Sequence, residues 1–406
     1  MIFNNRPEQT GVFKTNTVLA YDDNLQLVAW GYPALAQEPP KKKKLQTKPR
    51  KPVELFKLHL ANVKDDDKPP LPPGLDPRKA ITDYLHEMNK LVSETLNSRW
   101  PGIRYPQQVR FVLSVPSEWH HDAKAIMREC MFNAGYLENR QSENLEFTTE
   151  PEAAAVYCMK SLTEHHLSAG SSFMIVDCGG GTVDLTTRTL LPGMKLSEIT
   201  ERSGDLCAST ERRCSAMFLV GGFSESQYLQ QQIRRQFMNQ VPIIAVPKHP
   251  IAAIERGALE YGLNMEIVQT RVLKFCYGVE VSAKWEKGDP PERRTPSGRI
   301  FKFHRLALRG VEVAVDQKFY YTAGPVVPNQ TDMTFNIFIT PDNNAKYCDE
   351  DGMKMLGKMK IDLPDPQRGK NRLVEFTLTF GTMEVKATAI NKRTGQIYES
   401  SFILEF

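Results

Sequence analysis

The chain has no long apolar segment and little imbalance of charge, and both absences exclude classes of protein. No run approaches the ~20 apolar residues that a transmembrane helix needs, and residues 1–10 lack the apolar core of a signal peptide. Lys and Arg number 52 against 48 Asp and Glu, so neither nucleic acid nor an anionic membrane is the default partner. We therefore expect an intracellular protein, cytoplasmic or nuclear, that has no membrane partner.

Cysteine is also scarce, with seven in 406 residues and no CxxC pair. The odd number leaves at least one thiol without a partner in the chain, which favours a reducing compartment. The composition, 41% hydrophobic and 25% charged, is that of a globular protein. The length is typical of two or three domains.

Hydrophobic patterning divides the chain into an α/β part and an all-β part. Short strands are predicted within residues 12–30, and a helix is predicted from Asp76 to about Arg99. The proline-rich and charged segment 37–75 has little to pack except an apolar island at 53–60, so it is interpreted as a flexible insert.

From residue 109 onward, strands alternate with helices, and after residue 270 strict alternation of apolar and polar residues replaces helical spacing. Residues 1–265 are thus predicted to form an α/β domain, and residues 266–406 a β-sandwich.

A glycine-rich segment carries the strongest chemical signal. Consecutive backbone N–H groups in such a turn form a concave anion site suited to phosphate oxygens. A carboxylate on each side could hold a hydrated Mg²⁺ against those phosphates, whereas the alternative is a glycine hairpin with solvated acids. The segment contains Asp177, Gly179, Gly180, Gly181, Thr182 and Asp184.

Five motifs in order resemble the ATPase domain of the 70 kDa heat-shock protein family, part of the actin and sugar-kinase superfamily. The segments 119–124 and 221–226 are most similar to its divergent branch called heat shock 70 kDa protein 12. The motifs are Ser114-Val115-Pro116-Ser117, Thr149-Glu150-Pro151-Glu152, Asp177 to Asp184, Leu219-Val220-Gly221-Gly222 and Glu255-Arg256-Gly257-Ala258.

This resemblance implies a partial actin-like (ribonuclease-H-like) ATPase domain that takes ATP and Mg²⁺. It makes residues 177–184 the second phosphate segment and places Gly221 and Gly222, with Gly204, among the cofactor-binding residues. It puts Glu150 near the attacking water and assigns Mg²⁺ to Asp177 and Asp184. Glu150 and Asp177 are accordingly the predicted catalytic residues.

The sequence differs from the family's pattern at several places, and these differences weaken the prediction that the chain is catalytic. The first phosphate segment should precede residues 12–30 and is not found, and no Lys occurs around 31–37, where the family has a catalytic one. Only a few residues separate Leu206 from Cys214, where relatives carry an entire subdomain. Because phosphoryl transfer depends on positioning and charge stabilisation, we expect weak or vestigial ATP binding and no efficient turnover. An active Mg-dependent ATPase chaperone is the alternative.

The C-terminal part resembles the family's peptide-binding β-sandwich, which implies ATP-independent binding of unfolded or extended peptide segments. No helical lid follows Phe406, so weak binding with fast release is expected. A third possibility is a scaffold or nucleic-acid-associated protein that acts through the basic stretch 41–51. That stretch has no aromatic residues for base stacking, and nucleic acid is not the favoured partner.

Overall fold

The structure is a computed structural model that describes residues 15–35, 52–61, 64, 66, 68–117, 119, 121–179, 183–198, 214–380 and 383–401. The chain divides into two compact units, one formed by residues 1–153 and 251–263 and the other by residues 154–250 and 264–406. Helices and several sheets are mixed, as predicted. The actin-like ATPase and β-sandwich assignments, and the domain boundary at 265, stay predictions.

The elements of the described residues are numbered in chain order. The α-helices are α1 (Tyr32–Leu35), α2 (Pro77–Arg99), α3 (His121–Asn133), α4 (Glu150–Glu164), α5 (Gln227–Phe237) and α6 (Ala253–Leu263). The strands are β1 (Val18–Tyr21), β2 (Leu27–Trp30), β3 (Val53–Glu54), β4 (Phe111–Val115), β5 (Leu145–Thr149), β6 (Ser172–Cys178), β7 (Val183–Leu191), β8 (Lys195–Glu198), β9 (Cys214–Val220), β10 (Ile243–Ala245), β11 (Val268–Val272), β12 (Cys276–Lys284), β13 (Arg299–Ala307), β14 (Glu312–Ala314), β15 (Lys318–Ala323), β16 (Asp332–Thr340), β17 (Lys354–Asp362), β18 (Val374–Thr379), β19 (Lys386–Asn391) and β20 (Ile397–Ser401).

Helix α2 begins and ends where the sequence predicts. The Asp76 side chain accepts a hydrogen bond from the Arg78 backbone N–H at 2.8 Å, and Pro77 takes the first helical position. Both features favour a helix start, because an N-cap acceptor satisfies a free N–H and proline has none to satisfy. No helix among the described residues is both long and apolar enough to cross a bilayer.

In the first unit, β3 pairs antiparallel with β1, which also pairs with β2. Phe56, in a short 3₁₀ helix after β3, is buried. The apolar island within the predicted insert therefore packs into the fold. Strands β4 and β5 are parallel, and α4 starts directly after β5, so the carboxyl end of β5 delivers Glu150.

In the second unit, a larger sheet has the strand order β10-β9-β6-β7-β8-β11-β14. Strand β6 pairs parallel with β9 and antiparallel with β7. A buried ion pair joins Arg188 of β7 to Glu198 of β8 at 3.3 Å, and Glu198 Oε2 accepts from the Val272 backbone N–H at 3.1 Å. This network ties β11 to its neighbouring strand β8.

Two antiparallel sheets, β13-β12-β16-β17 and β15-β18-β19-β20, share one apolar core. Phe335 of β16 and Phe376 of β18 stack across it with ring centroids 4.6 Å apart. The predicted alternation in β16 is confirmed, because Met333, Phe335 and Ile337 are all buried.

Candidate functional site

The two acids of the glycine-rich segment are cross-strand neighbours. Asp177 near the end of β6 lies directly opposite Asp184 near the start of β7. Residues directly opposite in an antiparallel pair project from the same face, so both carboxylates lie on one side of the sheet. Asp177 is buried, with 7% of its surface exposed. The predicted Mg²⁺ pair is thus brought together.

Gly221 closes one side of this acid pair. It follows β9, whose last residue, Val220, is the parallel neighbour of Asp177. Its φ is +84°, and a Cβ added there would overlap Asp177 Oδ1 and lie 2.7 Å from the carbonyl carbon of Cys178. Only glycine fits, because the left-handed conformation and the close approach both exclude a side chain.

The turn after β9 is held by side-chain hydrogen bonds. Ser224 Oγ donates to the Val220 carbonyl at 2.6 Å, and Gln230 Nε2 donates to the Ser224 carbonyl at 2.8 Å. The Gly221 backbone N–H donates to the Pro250 carbonyl at 2.9 Å. Gly222 starts the 3₁₀ helix that leads into α5, so the backbone at the predicted cofactor-binding residues Gly221 and Gly222 is fixed.

Part of the predicted phosphate segment lies outside the described residues. This applies to Gly180, Gly181, Thr182 and Gly204, and also to the basic stretch 41–51. Gly179 follows β6 directly. The phosphate-binding role of the three glycines therefore stays a prediction.

The structure supplies a cation that the sequence reasoning missed. Lys57 Nζ lies 3.1 Å from Glu150 Oε1 in the first unit and 5.9 Å from the ring centroid of Trp119. The resemblance places a lysine around residues 31–37, where this chain has none, whereas Lys57 belongs to the apolar island that packs near β1. The signal that could have found it is a lysine flanked directly by Phe56 and Leu58 in a mainly apolar stretch.

Side-chain hydrogen bonds of the neighbouring residues fix the start of α4, where Glu150 lies. The Glu152 backbone N–H donates to Thr149 Oγ1 at 3.2 Å, and Thr148 Oγ1 donates to Glu152 Oε1 at 2.9 Å. The first of these bonds satisfies a free N–H of the first helical turn. Glu152 is 1% exposed, whereas Glu150 keeps 26% of its side chain exposed. Glu150 is therefore the carboxylate available to a ligand.

Cys178 adjoins the acid pair, but its thiol is not activated as a nucleophile. Burial raises the pKa of its thiol, and the charge of Asp177 raises that pKa further, against a hydrogen bond to Ser224 that lowers it. Since the thiolate is the reactive form, Cys178 is expected to remain a protonated, packed side chain.

The acid pair can hold Mg²⁺ only together with other ligands. Across the described part of the chain, no group of three or more His, Cys, Asp or Glu side chains is placed to bind a metal ion. Mg²⁺ commonly uses one or two carboxylates together with substrate phosphates and water. Asp177 and Asp184, with a side-chain-free Gly221 beside them, fit that arrangement.

Comparison with known proteins gives consistent relatives, although no protein-family model matches the chain. Heat shock 70 kDa protein 12A from Homo sapiens is 22% identical over 501 aligned positions, which cover 78% of this chain and 73% of that protein. The Mus musculus protein 12A is 22% identical, with 71% and 69% covered. Heat shock 70 kDa protein 12B from Homo sapiens is 21% identical, with 76% and 72% covered.

The alignment lengths also show a difference in size. The alignment with human protein 12A has 501 positions, but 78% of this 406-residue chain is only about 317 residues. At about 180 positions, therefore, human protein 12A has a residue and this chain has a gap. The predicted recognition is confirmed: the chain resembles the heat shock 70 kDa protein 12 proteins, which supports a divergent member of the 70 kDa heat-shock protein family.

Proposed function

We propose that this protein is a chaperone-family protein that binds Mg²⁺ and ATP weakly, through Asp177, Asp184 and the glycines 179–181 and 221–222. The observation that carries the proposal is the contact of a side-chain-free Gly221 with the carboxylate of Asp177, opposite Asp184. Members of the resembled family generally depend on ATP and Mg²⁺, which agrees with this residue set.

Mg²⁺ would supply charge neutralisation for the phosphates. The residues of the chain have separate roles. Asp177 and Asp184 would orient the hydrated ion, and the glycine backbone would donate N–H groups to phosphate oxygens. The residues that human protein 12A has and this chain lacks support weak rather than tight nucleotide binding, since fewer groups are left to enclose the base.

Binding can be tested by titrating the full chain with ATP in the presence and absence of Mg²⁺. We expect saturable, Mg-dependent binding that Asp177→Asn abolishes. Asp351→Asn is the matched control, because Asp351 is an exposed acid in the loop before β17. Binding that persists unchanged in Asp177→Asn, or no saturable binding in the wild type, would refute the proposal.

A second candidate is an active Mg-dependent ATPase, favoured by the ion pair of Lys57 and Glu150. The pair provides a partly exposed carboxylate and an ammonium group, which are groups that phosphoryl transfer uses to position water and to stabilise charge. Phosphate release should then fall by about tenfold or more in Lys57→Gln, Glu150→Gln and Asp177→Ala. If the wild type and these variants all release phosphate at the same background rate, the proposal of an ATPase is refuted.

We further propose that the two antiparallel sheets bind extended peptide segments without nucleotide. An extended peptide can add backbone hydrogen bonds to an outer strand of a sheet. Strand β15 is such an outer strand, with alternating exposure and a Tyr320 that is 57% exposed. Titration of the full chain with an unfolded, apolar-rich peptide should give a Kd of about micromolar order or weaker, unchanged by ATP. The absence of saturable binding would leave a scaffold role.

A further inference from the structure

The loop between β12 and β13 presents an exposed serine in the turn just before β13. The two strands pair as far as Lys284 and Arg299, and the loop closes with a tight turn in which the Gly298 N–H donates to the Thr295 carbonyl at 2.9 Å. The Trp285 backbone N–H donates to the Gly298 carbonyl at 3.1 Å. Ser297 lies in this turn beyond both strands and is exposed.

Of the two hydroxyls in the turn, Ser297 is the accessible one. Thr295 Oγ1 accepts from the Arg299 N–H at 3.0 Å and donates to the Arg299 carbonyl at 2.9 Å, so it closes the turn. Ser297 Oγ lies 3.0 Å from Thr295 Oγ1, and its other sides face solvent. The Ser297 hydroxyl is therefore the more accessible of the two to another molecule that approaches the loop.

The loop is locally basic, with five Lys or Arg and three acids between residues 284 and 299. Arg293 is already paired, since its Nη1 lies 2.5 Å from Asp349 Oδ1 and its guanidinium covers the Tyr347 ring. Arg299 donates to Ser282 Oγ at 2.8 Å. Both guanidinium groups are therefore already engaged in contacts within the fold.

Arg294 differs from both of them. It is exposed and stacks over the Trp285 ring at 5.1 Å, and no carboxylate of the described residues is within ion-pair distance of it. Its Nη2 lies 3.9 Å from the position that a Cβ of Gly298 would take. A guanidinium without an anionic partner thus borders the turn that carries Ser297.

We propose that Ser297 is a phosphorylation site for a serine/threonine protein kinase that recognises arginine three residues before the acceptor, here Arg294. The Ser297 oxygen would attack the γ-phosphorus of ATP bound to the kinase. The new Oγ–P bond replaces the bond between the γ-phosphorus and its bridging oxygen, ADP leaves, and the serine proton passes to the base of the kinase.

Arg294 then has a second role after transfer. A phosphoserine carries close to two negative charges at neutral pH, with a second pKa of about 6. Guanidinium groups pair with phosphate through strong charge-assisted hydrogen bonds. The modification would therefore replace the contact of Arg294 with Trp285 by an ion pair and change the charge of this face of the unit.

The loop can reach a kinase active site without loss of the sheets. Opening the turn breaks the hydrogen bonds of Thr295, Gly298 and Trp285 described above, whereas the β12–β13 ladder remains paired. Local openings of this kind, outside the buried core, cost far less than global unfolding. The native chain should accordingly be a substrate.

The test uses the full native chain, Mg-ATP and a purified kinase that requires arginine three residues before its acceptor. Tandem mass spectrometry should find one phosphoryl group on Ser297, and Ser297→Ala should lose it. Arg294→Gln should slow the incorporation by about tenfold or more, because a charge-assisted contact is lost. Arg293→Gln removes the same charge from the same loop and should change the rate little. Far-UV circular dichroism should be the same for all variants.

A second measurement addresses the phosphate contact itself. The ³¹P resonance of phosphoserine in the wild type should titrate below the usual pKa of about 6, and in Arg294→Gln it should return toward that value. Incorporation at Thr295, an unchanged rate in Arg294→Gln, labelling only after denaturation, or equal ³¹P titrations would each overturn the proposal.

Discussion

At Gly221 the available space is smaller than a methyl group. A side chain there would overlap both the Asp177 carboxylate and the backbone of Cys178, at a φ of +84°. Gly193 has a similar φ of +75°, but a Cβ added there meets nothing within 4 Å. The two glycines therefore separate the effect of backbone conformation from the effect of contact.

Gly193→Ala should lower the free energy of unfolding by about 1–2 kcal/mol, the cost of a left-handed backbone for alanine. Gly221→Ala should cost about a further 1–3 kcal/mol, because the methyl group overpacks a closed site. Urea denaturation with constant m-values would measure both. Equal losses in the two variants would show that the contact with Asp177 carries no energy.

Single residues of the site differ in how well their sequence predicts them. Asp177, Asp184 and Gly221 fall in short local patterns whose chemistry is visible without a fold. The pair of Lys57 and Glu150 is 93 residues apart in sequence, and a contact of that separation leaves no local periodicity. Gly257 lies in a segment that we identified by resemblance, and the physical reason for glycine there appears only in the packing of two helices.

Helices α4 and α6 meet at Gly257, where an added Cβ would overlap the Ala153 carbonyl oxygen. In an ordinary helix interior, alanine is more favourable than glycine by about 1 kcal/mol. Here that preference should reverse, because the neighbour is backbone and cannot rotate away. Gly262 in the same helix gives a contrast, since an added Cβ there would meet only the Val112 side chain, at 2.6 Å from Cγ2.

We expect Gly257→Ala to destabilise the chain by about 1–3 kcal/mol, as overpacking does. Gly262→Ala should cost less, because Val112 can adjust and the helix gains propensity. Thermal and urea unfolding followed by circular dichroism would compare them. A stabilised Gly257→Ala variant would show that the two helices are not in close contact.

Individual helices and strands were predicted better than the pairing between strands. Asp76 and Pro77 define the start of α2, and alternation defines β16, because each signal lies within a few neighbouring residues. The partners of β11 were not predicted, since its sequence suits the C-terminal strands as well as the larger sheet. Its pairing with both β8 and β14 depends on long-range contacts such as that of Glu198 with the Val272 N–H.

The chain leaves the first unit after residue 153 and returns to it at residues 251–263. The returning segment is α6, which packs on β4 through the contact of Gly262 with Val112 and on α4 at Gly257. The first unit is therefore incomplete without a segment from much later in the sequence. The core shared by the two antiparallel sheets, in contrast, is built entirely from residues after 272.

This difference predicts how two fragments behave. Residues 264–406 contain every buried side chain of the shared core, so this fragment should unfold cooperatively in urea and keep a near-ultraviolet circular dichroism signal. Residues 1–153 lack α6 and would expose the surface that it covers on β4, so they should show no cooperative transition. A fragment 264–406 without cooperative unfolding would mean that β11 needs β8 to hold the sheets together. Cooperative unfolding of residues 1–153 would mean that α6 adds little to the stability of the first unit.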